Sequence, residues 1–189
     1  MLKIMHRLGR ADGAEIAEAA LVLPLVFMFL LGIIWFGRAF NIYSTITQAA
    51  EQGAKVAARP ACATCSAPAD NWNGTYFPGD TTVENSVLAV MEASSLRPNQ
   101  IIMYVPVVTS SPGPPPDGTP PPGGCRTTSN AITICRAVLL NPSGATPAPP
   151  PQWGTIVSFQ YPFQMILPFT SLNMQPIVLK AQAQSRMEN

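Results

Sequence analysis

Histidine and charge are both scarce in this chain of 189 residues: it has one His, 11 Lys or Arg and 10 Asp or Glu, so charged residues make up 11% against 47% hydrophobic. The single histidine, His6, lies in the N-terminal leader, which removes Ser-His and Cys-His nucleophiles from everything downstream. Gly-x-Ser-x-Gly and phosphate-loop patterns are also missing. The exported carboxylates Glu51, Asp70, Asp80, Glu84, Glu92, Asp117 and Glu188 are scattered and read as solvated surface charge, with paired acid chemistry as the alternative. A formal net charge of +1, with no polybasic tract after the leader, speaks against nucleic acid as a partner. The expectation is therefore a protein that is not an enzyme and needs no cofactor or metal.

The apolar excess is concentrated near the N-terminus. From Ala19 to Gly37 no side chain is charged and Leu, Val, Ile and Phe dominate, which is roughly the length a helix needs to cross a hydrocarbon layer. Lys3, Arg7 and Arg10 against Asp12 form a basic flank that holds the N-terminus in the cytoplasm and sends the C-terminal part outward. Pro24 interrupts the run and predicts a kink in the helix, not a break. A cleaved secretory signal is the rival reading, but Arg38-Ala39-Phe40-Asn41 lacks the small-residue pattern a signal peptidase needs after the apolar stretch. The small residues stand on the other side, in Gly13-Ala14-Glu15-Ile16-Ala17-Glu18. A cut between Gly13 and Ala14 makes Glu18 the fifth residue, at the edge of the hydrocarbon, where a carboxylate needs a helix N-terminus or a positive partner.

Those residues, continued by Ala19-Ala20-Leu21-Val22-Leu23-Pro24-Leu25 and Gly32-Ile33-Ile34-Trp35-Phe36-Gly37-Arg38, resemble the TadE family of minor pseudopilins. Ala49-Ala50-Glu51-Gln52-Gly53-Ala54 resembles the alanine-rich Glu-x-Gly-Ala segment of that family, and Ala19 stands where many of its members carry Phe. The resemblance implies a minor pseudopilin of a tight-adherence (Flp, type IVc) pilus, a structural subunit that primes, caps or supports assembly through packing of its N-terminal helix. It implies prepilin peptidase cleavage at Gly13 and Ala14, and an assembly role for Glu18 opposite the freed amine of a neighbouring subunit. Other pilins or pseudopilins, the inner-membrane assembly machinery and the lipid bilayer are the implied partners. The implied location is the bacterial inner membrane, single-pass, with the C-terminal domain periplasmic or extracellular. A signal-anchored envelope binding protein that never enters a pilus is the alternative.

The expected fold is α+β: a leader over 1–13, a transmembrane and extended helix over 14–59, and an exported domain over 60–189. Alanines 49, 50, 54, 57 and 58 favour helix up to Arg59-Pro60, and they suit either close packing against another helix or the helix covering its own domain. The stretch from Pro60 to Asp80 reads as an irregular loop. Thr81-Thr82-Val83-Glu84 has capping-box spacing and opens a second helix with Val83, Val87, Leu88, Val90 and Met91 on a helical period. Three or four antiparallel strands follow, at about 101–109, 131–140, 155–163 and 175–185, with Pro-rich loops over 110–124 and 141–152.

Four cysteines in an exported domain favour disulfides, and three connectivities are open. The local pairing joins Cys62 with Cys65 and Cys125 with Cys135. A four-thiolate zinc site is the rival, weakened by the spacing of the second pair and by the lack of a nearby histidine.

Overall fold

The computed structural model describes residues 11–59, 70–72, 75–106, 124–141, 152–164 and 175–187, with backbone alone for 11–15, 70–72, 75 and 76. The chain divides into two compact units, residues 1–41 and 42–189. A single helix, α1 (Ala11–Ala58), contributes to both. It ends where expected, because the residue before Pro60 is pushed out of the helical region by the proline ring.

The second unit is an α+β domain built on a four-stranded antiparallel sheet in the order β3 (Gly124–Thr127), β4 (Thr133–Leu139), β5 (Trp153–Phe163) and β6 (Ile177–Arg186). Its other helix, α2 (Asp80–Ala93), and the α1 segment from Ile42 onward pack on the sheet through one continuous core. The α1 contribution is mostly small. Ile46, Ala49, Ala50, Ala54 and Ala57 are all at most 1% exposed, and they meet Val83, Val87 and Met91 of α2 and Val157 and Phe159 of β5 in one buried cluster. Gly53 explains the need for small residues, since a Cβ there would stand 2.6 Å from the Val87 Cγ2 and 3.3 Å from the Val157 Cγ1. The alanine face thus covers its own domain, the second of the two uses the sequence left open.

Three local expectations change. The fourth described strand is β3; of the strand expected at 101–109, residues 107–109 lie outside the described residues. Residues 101–106 contribute a single antiparallel bridge, Ile102 with Gln160, beyond the point where β4 stops pairing with β5. Ser158 Oγ adds a hydrogen bond to the Tyr104 carbonyl at 2.9 Å. Gly124, expected at the end of a loop, is the first residue of β3. Within the stretch expected to be irregular, β1 (Asp70–Trp72) and β2 (Thr75–Phe77) form a short hairpin, with Phe77 buried beside Ala137 and Met187. The proline-rich segments 110–123 and 142–151 lie outside the described residues.

The capping box also fails to form. The N-cap of α2 is Gly79, Asp80 opens the helix, and Glu84 lies in its second turn, facing another element. The C-terminus is closed instead by a Schellman motif: Leu96 N–H donates to the Met91 carbonyl and Ser95 N–H to that of Glu92, both at 2.9 Å. Ser95 adopts the left-handed conformation that the motif demands, with φ of 59°.

Candidate functional site

Two regions of the molecule are chemically unusual. The first is the N-terminal part of α1. Between Ile16 and Phe40 its large apolar side chains point outward on every side, from Leu21 at 75% and Met28 at 77% to Phe36 at 80% exposed. The helix is long and apolar enough to cross a membrane, with a mean hydropathy of 2.6 over its most apolar window and none of that window buried. An all-round apolar helix is not a surface helix of a soluble domain, which keeps one polar face.

Gly13 and Ala14 both lie in the first turns of α1. Glu18 is exposed and has no partner among the described residues. Pro24 lies inside α1, which continues unbroken through it. Leu25, Met28, Phe29, Gly32, Ile33 and Phe36 recur at spacings of three and four and line a shallow apolar hollow on one face. Gly32 supplies the dent, since a Cβ there would meet nothing within 4 Å. At the end of the uncharged run the Arg38 guanidinium lies over the Trp35 ring, 5.7 Å from its centroid.

The second region is a polar cluster inside the domain that sequence reading missed. Arg136 is 4% exposed. Its Nη1 donates to the Ala57 carbonyl at 3.2 Å, and its Nη2 donates to the Pro78 carbonyl at 2.6 Å and to Asp80 Oδ1 at 3.1 Å. The cation therefore sits at the negative end of α1 and the Asp80 carboxylate at the positive end of α2, each complementing the helix dipole it meets. A break in register between Cys135 and Val138, with Ala137 at φ 53°, forms the bulge from which Arg136 reaches inward. The visible signal was a lone charge in the otherwise uncharged Ile132–Leu139 stretch, since a buried charge must be paired.

Glu84, one turn further along α2, makes a second connection. Its Oε1 accepts from Asn130 N–H at 3.0 Å, from Asn130 Nδ2 at 2.7 Å and from Ser129 Oγ at 3.3 Å, tying the helix to the β3–β4 turn. Burial pushes its carboxyl up, but the hydrogen bonds from Asn130 and its neighbours together outweigh that and hold it below the ordinary value of 4.5.

Cys125 faces Cys135 directly across the β3–β4 ladder, and the two form a disulfide. Over a sequence separation of 10 such a link stabilises by roughly 2.5 kcal/mol through the unfolded chain. It also withdraws two of the four thiolates that a zinc site needed. Cys62 and Cys65 lie outside the described residues. No group of three His, Cys, Asp or Glu side chains able to hold a metal occurs among the described residues.

Residues 13–55 match the family model described as TadE-like protein, a structural, pilus-associated family not known for enzymes. The match covers α1 almost from end to end and leaves the second helix and the sheet outside it. No curated protein and no solved structure matches the chain.

Proposed function

We propose that this chain is a minor pseudopilin of a tight-adherence pilus, a membrane-held structural subunit that primes, caps or supports assembly by packing its N-terminal helix against those of other pilins. The observation that carries it is the coincidence of the TadE-like match with a helix whose first half exposes large apolar side chains on all sides. Such a surface is at rest only in lipid or against other apolar helices, and a pilus subunit meets both in turn. On this reading the leader through Gly13 stays in the cytoplasm until a prepilin peptidase removes it. The amine freed at Ala14 then offers Glu18 of a neighbouring subunit a positive partner at the hydrocarbon edge, where an unpaired carboxylate costs up to a few kcal/mol. The Cys125–Cys135 disulfide suits a domain delivered to the oxidising side of the inner membrane.

The test is the intact mass and N-terminal residue of the protein purified from its own membranes, with and without the peptidase. A peptidase-dependent start at Ala14 is expected, together with a Glu18→Ala variant that inserts normally but fails to support pili. A retained leader, with pili indifferent to Glu18→Ala, would replace this proposal with a permanently anchored envelope protein.

A further inference from the structure

Arg38 is the first charged residue after the apolar run, and among the described residues of the first unit it is the one placed over an aromatic ring. Glu18 and Arg38 bracket that run, and at roughly 1.5 Å per residue they are about 30 Å apart along α1, the thickness of a bilayer's hydrocarbon layer. No carboxylate pairs with Arg38 among the described residues. A guanidinium 5.7 Å above an indole centroid is attracted to the ring face while its N–H groups stay open to an acceptor, and its planar fork matches a phosphate. Indole itself favours the boundary between hydrocarbon and headgroups.

We propose that Trp35 and Arg38 form a lipid-phosphate clamp that fixes the depth of α1 in the membrane. The indole sits at the base of the headgroup layer, and the Arg38 guanidinium, held over it, donates to the phosphate of a phospholipid. The clamp rests on α1 spanning a bilayer and does not depend on entry into a pilus. Without it the neighbouring Phe36 and Phe40, 80% and 73% exposed, draw the helix inward until more apolar surface is covered.

Full-length protein is reconstituted, at high lipid excess, into phosphatidylcholine vesicles whose acyl chains carry bromine at a chosen carbon. Quenching of tryptophan emission against bromine position then reports the depth of Trp35. Trp35→Phe gives the background from Trp72 and Trp153. The wild type is expected to be quenched best by the shallowest bromine. Arg38→Gln should move that maximum inward by about one helical turn, roughly 5 Å, and at least halve the ratio of shallow to deep quenching. Arg38→Lys, which keeps the charge and loses the planar fork, should fall between them. Vesicles of an uncharged galactolipid, which lacks phosphate, should give the wild type the Arg38→Gln depth. Equal depths for wild type and Arg38→Gln, or a wild-type depth indifferent to phosphate, would overturn the clamp. Absence of Trp35 quenching at every bromine position would overturn it together with the membrane span, while leaving the start at Ala14 to be judged separately.

Discussion

The two parts of α1 place their side chains in opposite ways. Before Asn41 the large residues face outward and the helix keeps nothing apolar inside. From Ile42 onward one face is small and wholly buried. Side-chain size, more than hydrophobicity, separates them: alanine and glycine are where α2 and β5 come close, and phenylalanine, leucine and methionine are where no described element does. A helix can thus carry two interfaces on one continuous backbone, one already satisfied within the fold and one left for lipid or for other helices.

The comparison breaks most easily at Arg136. Arg136→Met removes the link among α1, the Pro78 turn and Asp80, leaving the Ala57 and Pro78 carbonyls without their donor and Asp80 with only the Arg126 guanidinium, 3.8 Å away. A loss of about 3–5 kcal/mol in domain stability is expected by chemical unfolding. The apolar part of α1 should keep its helicity in detergent. A pair of glycine substitutions sharpens the contrast. Gly53→Val must force apart Val87 and Val157 and should cost about 1–3 kcal/mol. Gly32→Val meets open space and should leave the same unfolding curve in place. The smallest effect concerns pH. Because the Glu84 carboxyl is held below its ordinary value when folded, its contribution is complete above about pH 5 and is lost as the pH falls through the lowered value. Glu84→Gln is expected to cost about 1 kcal/mol near neutrality and to flatten the decline in stability on acidification, measured as unfolding free energy against pH.

The elements that could be read from the sequence were those with a long repeated pattern. The apolar run, the alanines stopped by Arg59-Pro60, the periodic Val83–Met91 helix and the strands ending at Phe163 and near Ser185 all carried many consistent residues. β3 carried almost none, being four residues placed directly after a Pro/Gly-rich stretch, and it is defined by its partner through the Cys125–Cys135 register. The segment after Ile101 had the composition of a strand, but it reaches β5 only past the end of β4 and so makes one bridge. Glu84 had the right spacing for a cap and the wrong destination: donors from a turn 46 residues away in sequence claimed it. For Gly13, Ala14 and Glu18 the sequence supplied chemistry, and the helix supplies only a common location in its first turns.

The small face of α1 has a mechanical consequence. Ile46, Ala49, Gly53 and Ala57 lie along the core in successive turns, so the domain grips this segment by its flank and not by its tip. Tension applied along the helix axis therefore loads these contacts together as shear, with the Arg136 grip on Ala57 at the far end sharing the load. Sideways force would load them one after another, like a peel.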